Sequence, residues 1–145
     1  MDRRLFFVTA GAAALIGTAA GPAASQERQD ASLRQAVVDA CADCMKTGEA
    51  CLAMCNEMLR HGMTDMAECH ARVVDMLAMC EAMGSMAAAN ASPPTRLKAL
   101  AALCADTCRD CARACEPQAA RHAECKTCMD DAATCAQACD AFNEA

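Results

Sequence analysis

Fifteen residues of this sequence, CADCMKTGEACLAMC at 41–55, contain four cysteines spaced by three, seven and four positions. The stretch CKTCMDDAATCAQAC at 125–139 repeats that spacing. Thiolate sulfur is a soft metal ligand, and it is also the nucleophile of thiol–disulfide exchange. The repeated cysteines therefore indicate a metal site, a redox centre or a disulfide framework.

Helices must position these thiols. After residue 26 the chain is rich in Ala, Met, Cys, Glu and Lys and poor in Gly, which is typical of helices. The pattern predicts four helices, at 30–61, 64–89, 93–115 and 118–142. Because the connections are short, we expect an all-α fold, an up-down-up-down antiparallel four-helix bundle with a cysteine-lined core.

Local start and stop signals predict these boundaries. A capping box opens the first helix, and glycine in the C′ position ends it. Serine or threonine caps and prolines in the first turn start the others. The signals are Ser32 with Gln35, Gly62, Thr64, Ser92 with Pro93, and Pro117.

All 14 cysteines fall on stripes with a spacing of three and four on the predicted helices. Such a stripe faces the centre of a bundle. Gly48 and Ala132 occupy the steps that the two matching stretches skip. The predicted inward thiols, which are the candidate metal ligands, are Cys41, Cys44, Cys51, Cys55, Cys69, Cys80, Cys104, Cys108, Cys111, Cys115, Cys125, Cys128, Cys135 and Cys139.

Two uses of these thiols other than metal binding stay open as alternatives. A disulfide-stapled structural bundle needs Cβ atoms about 3.8 Å apart. Cysteines three or four positions apart on one helix are roughly 5 to 6 Å apart, so only bridges between helices would fit. A thiol–disulfide redox protein needs an exposed, activated thiolate at a helix N-terminus. These cysteines are predicted to lie inside helices and to face inward, which disfavours that alternative.

The donor set favours copper over other metals. Structural zinc sites draw their four ligands mainly from turns, iron–sulfur clusters are wrapped by loops, and di-iron bundles need Glu-x-x-His pairs that this sequence lacks. Thiolate and thioether sulfurs select Cu(I). Because buried thiolates need charge neutralisation, we expect multiple Cu(I) ions, on the order of one per cysteine.

Composition and the first residues indicate the cell compartment and exclude some partners. The net charge of −6 and the lack of Trp and Tyr exclude a nucleic-acid partner. Residues 1–25 read as a signal peptide that begins with the pair Arg3–Arg4, of the twin-arginine type, and a Sec signal is the alternative. Residues 26–145 would then form an exported, periplasmic domain with no membrane span.

The chain resembles the copper storage proteins, and the resemblance covers all of residues 26–145. It consists of the twin-arginine leader, the four helices, and the inward Cys-x-x-Cys and Cys-x-x-x-Cys pairs. The likeness is to the exported branch of that family. It implies a homotetramer that stores copper for an enzyme such as the particulate methane monooxygenase. We expect the protein itself to be a storage protein and not an enzyme.

The predicted topology gives the bundle two different ends. His61, Met63 and Met66 gather at one end, where we expect them to bind copper as it enters or leaves. Alternatively, His61 complements the helix dipole and the two methionines fill gaps in the core. The opposite end is predicted to be an apolar plug made of Leu33, Val37, Met83, Leu97, Leu100 and Phe142.

Overall fold

The computed structural model describes residues 21–145, and within that range it contains four α-helices and no strand. The helices are α1 (Pro22–Arg60), α2 (Ala67–Ala89), α3 (Pro94–Ala119) and α4 (Ala123–Glu144), and a 3₁₀ turn (Thr64–Met66) precedes α2. The predicted all-α fold is confirmed. The first 20 residues of the predicted signal peptide lie outside the described range, so that prediction and its boundary at residue 25 stay untested.

The predicted start of α1 is wrong. The helix begins at Pro22, so Ser32 and Gln35 lie inside it and form no cap. Proline is well suited to the first helical position, and the Ala- and Glu-containing residues that follow favour helix strongly enough to override a local capping preference. The predicted end is confirmed, because Gly62 has a φ of +82°, a conformation that glycine adopts without strain.

The other predicted boundaries shift by a few residues. Met66, and not Thr64, caps α2, because the 3₁₀ turn comes first. Pro93 caps α3, and Pro94 takes the first helical position. Pro117 lies inside the last turns of α3 instead of starting α4, which begins at Ala123. Proline near a helix end removes a single backbone hydrogen bond, and so a helix can continue past it.

The helices pack side by side as a bundle. The helix α1 contacts α2 and α4, and α3 contacts the same two neighbours. Sulfur pairs between neighbouring helices run in opposite senses, since Cys41 lies beside Cys135 and Cys51 beside Cys125. These pairs favour the predicted up-down-up-down order, which stays a prediction. No helix in the described residues is long and apolar enough to cross a membrane.

Side chains of α2 approach α1 closely at Gly48. A Cβ atom added to Gly48 would lie 2.6 Å from Cε of Met76 and 2.9 Å from Cδ2 of Leu77. A side chain at this position would make the ends of Met76 and Leu77 shift, and Met76 is fully buried beside the glycine. The step that the cysteine pattern skips at residue 48 is therefore filled by a methionine from the neighbouring helix.

Candidate metal centre

The cysteine stripes form the centre of the bundle. All 14 cysteines are buried, and none of their residues is more than 1% exposed. The prediction that they face inward is therefore confirmed. Each helix contributes to this centre, because the 3–4 spacing keeps its thiols on one face through several turns.

The sulfurs are in contact across the helices, but they are not bonded. The closest pair, Cys69 and Cys115, has its Sγ atoms 3.4 Å apart, and other pairs extend to 4.0 Å. A disulfide bond is about 2.0 Å long. All the cysteines lie in the described residues and all are free thiols, so the disulfide-stapled alternative does not match the structure.

Four groups of sulfurs have a spacing that could hold a metal ion. In each group all the Sγ atoms lie within 4.8 Å of one another. No His or carboxylate belongs to these groups, so the donor set is sulfur alone. The groups are Cys41, Cys80, Cys104 and Cys135; Cys44, Cys80, Cys108 and Cys135; Cys51, Cys69 and Cys125; and Cys51, Cys115 and Cys128.

The contacting thiols share protons through hydrogen bonds. Interaction with Cys104, and then with Cys108, raises the pKa of Cys80, and burial raises it further. Hydrogen bonds from Cys115 and Cys125 lower the pKa of Cys69. Some thiols thus act as donors and others as acceptors in a buried network. Cysteines bind a metal ion as thiolates, so the ion must displace these protons. Metal binding therefore weakens as the pH falls.

The three residues predicted at the entrance differ in burial. Met66 is fully buried, and Met63 is partly buried against the core. The His61 side chain is 67% exposed, and its Nε2 lies 2.8 Å from Oε1 of Glu57. Exposure thus falls along the chain from His61 through Met63 to Met66. Their role as ligands stays a prediction.

At the same end of the bundle, Asp65, Gln118 and Arg121 form a group of polar contacts, the polar clasp, which sequence reasoning missed. The amide of Gln118, a residue only 5% exposed, donates to the carbonyl of Asp65, and the Arg121 guanidinium lies 2.9 Å from Oδ2 of Asp65. The hydrogen bond from the Arg121 guanidinium, together with its charge, holds the pKa of the Asp65 carboxyl below its usual range. This clasp ties the turn before α2 to the connection between α3 and α4. No local signal relates residues more than 50 positions apart, so sequence alone could not find it.

The opposite end is apolar, as the plug hypothesis expects. Val37 and Met83 are fully buried there, and Leu97 and Phe142 are nearly so. Leu33 and Leu100 pack partly buried against them. A cavity of about 210 Å³ opens at this end, and polar residues such as Asp30 and Lys98 line it together with Leu33, Leu97 and Phe142.

Comparison with known proteins relates this site to one family. The family model described as "Copper storage protein" matches residues 30–144, a range that includes every cysteine of the core. No curated protein matches the chain.

Proposed function

The chain belongs to the copper storage protein family, and we propose that it binds many Cu(I) ions inside the bundle and stores them for later supply or for buffering. One observation carries the proposal, which is the buried core of 14 free thiols in mutual contact. Each sulfur-only group contains at least the two or three thiolates that one Cu(I) ion accepts.

Charge balance sets the proposed capacity. A buried thiolate without a cation is costly, and one Cu(I) per thiolate cancels the charge. Each ion that enters releases one thiol proton, so the loaded core stays neutral. The protein then acts as a non-catalytic reservoir and not as a single-site carrier.

Titration of the reduced protein with Cu(I) against a competing chelator tests this function. We expect binding to continue to about one ion per cysteine, with one proton released for each ion, because every thiolate needs one positive charge. Protein with alkylated thiols is the control. Saturation after one or two ions would overturn the storage proposal.

We further propose that copper enters at the end formed by His61, Met63 and Met66. Their graded burial supports this, because soft donors lead from an exposed imidazole to a fully buried thioether. At the opposite end Val37, Leu97 and Phe142 close the bundle with side chains that carry no donor atom for copper.

Replacing the entrance residues is expected to slow copper exchange without changing capacity. In the triple variant His61→Gln, Met63→Leu and Met66→Leu, leucine keeps the volume but removes the thioether. We expect slower Cu(I) uptake and slower removal by a chelator in stopped-flow traces. Met83→Leu, a buried methionine at the opposite end, is the matched control. Equal rates of copper uptake and removal in the wild type, the triple variant and Met83→Leu would overturn the entrance proposal.

The proposal also includes export of the protein, its assembly into an oligomer and delivery of its copper to an enzyme. The predicted twin-arginine signal in residues 1–25 supports export to the periplasm. The family resemblance supports a homotetramer and supply of copper to an enzyme such as the particulate methane monooxygenase. The negative net charge of the chain agrees with a role that needs no nucleic acid.

A further inference from the structure

The 14 thiols divide into two sets of seven. Every sulfur–sulfur hydrogen bond in the described chain joins two cysteines of the same set. The Cys80 set consists of Cys41, Cys44, Cys80, Cys104, Cys108, Cys135 and Cys139. The Cys69 set, nearer the proposed entrance, consists of Cys51, Cys55, Cys69, Cys111, Cys115, Cys125 and Cys128.

Cysteines that form no sulfur–sulfur hydrogen bond, such as Cys44 and Cys139, fall into the same two sets. Cys139 follows Cys135 by four positions on α4, one turn further from Cys128, and so it lies at the end of its own set. The Sγ atom of Cys44 lies within 4.8 Å of the Sγ atoms of Cys80, Cys108 and Cys135, all of the same set. The division is therefore a property of the whole core and not of a few close pairs.

On three of the four helices, the row of cysteines has a gap where one set ends and the other begins. Seven positions separate Cys44 from Cys51 on α1, and eleven separate Cys69 from Cys80 on α2. At 1.5 Å per residue these gaps span about 10 and 16 Å. On α4 the gap between Cys128 and Cys135 is again seven positions.

Of the four helices, only α3 has cysteines on consecutive turns across the boundary between the two sets. Cys108 and Cys111 are three positions apart, which places them on neighbouring turns. They still belong to different sets, because Cys108 bonds to Cys80 and Cys111 bonds to Cys128.

Met76 occupies the gap that the interruptions leave. Its side chain is fully buried, and its Cε lies against Gly48, midway between Cys44 and Cys51. A thioether has no proton to donate and forms no thiolate, so Met76 cannot pass the hydrogen-bond network from one set to the other. Both the position and the chemistry of Met76 make it a spacer.

We propose that copper is held as two clusters, one in each seven-thiol set, with Met76 as the spacer between them. The proposal rests on the storage function above. The first ion to enter a set displaces a proton and disrupts the hydrogen bonds of that set, so the remaining thiols there bind the next ions more readily. The second set keeps its own network intact until an ion enters it, and half-loaded protein accumulates on the way to full loading.

Native mass spectrometry of the reduced protein during Cu(I) titration tests the two clusters. At half of the saturating copper, we expect a half-loaded species that outweighs the species with slightly more or slightly less copper. Met76→Leu should keep this maximum, because leucine preserves an apolar spacer of similar volume. Met76→Cys should lose it, because a thiol in the gap joins the two networks into one.

Met83→Cys is the matched control for the added thiol. Met83 is also fully buried on α2, one heptad further along at the apolar end, and so outside the gap. The Met83→Cys variant should bind additional copper, as Met76→Cys does, but it should keep the half-loaded maximum. Far-UV circular dichroism checks that each variant stays helical.

Two results would overturn the clusters without affecting the storage function. One is a wild-type protein that fills to about one ion per cysteine with no half-loaded maximum. The other is the same loading pattern in Met76→Cys and Met83→Cys. Failure of the storage function itself looks different, since the wild type would then bind only one or two ions.

Discussion

Copper loading is expected to raise the melting temperature of the reduced protein by tens of degrees. A ligand that binds only the folded state stabilises it by about 2.7 kcal/mol per site at 100 times its Kd, and the core offers many sites. Each kcal/mol shifts the melting temperature of a domain of this size by about 4 °C. Unfolded cysteines also bind copper and reduce the gain, but they lack the contacts between helices that bring three or four sulfurs together.

Thermal unfolding by circular dichroism measures this shift at several ratios of copper to protein. Removal of the copper with a strong Cu(I) chelator should return the melting temperature to that of the metal-free protein. Alkylated protein with the same amount of copper serves as the control for nonspecific effects. A fully loaded protein that melts at the temperature of the metal-free one would show that the bound ions lie outside the folded core.

Replacing Cys80 and Cys135 by alanine is expected to remove more copper than the two lost thiolates account for. Both residues belong to the two four-sulfur groups of the core. Without them, each group falls to two sulfurs from different helices, and so the remaining thiols lose shared ions as well. We expect a loss of about four ions, two for the missing charges and about two for the broken groups.

The double variant Cys55→Ala and Cys139→Ala is the matched control. These two cysteines are equally buried, but neither belongs to a three- or four-sulfur group. Their loss should lower the capacity by about two ions. Chelator competition and metal analysis of the purified variants measure both numbers. An equal loss in the two variants would mean that the groups do not act as units.

Sequence alone was enough to predict the class of the fold and the lining of its core. Helix composition and a spacing of three and four are local properties, and an α-helix converts them directly into an inward face. The burial of all 14 cysteines confirms that step. The predicted ends of the helices were less accurate, because a cap such as Ser32 or a breaker such as Pro117 competes with its neighbours and can be overridden.

The grouping of the thiols was decided only by the tertiary structure. Which sulfurs meet depends on how far each helix is shifted along its neighbour, and that shift must fit the side-chain packing between helices, such as Met76 against Gly48. The repeated spacing at 41–55 and 125–139 suggests two equal walls, yet each stretch divides its cysteines between two sets. The separation of His61 on the surface from Met66 in the core also depends on the turn between α1 and α2. Periodicity states which residues face inward, whereas packing between helices decides which of them touch.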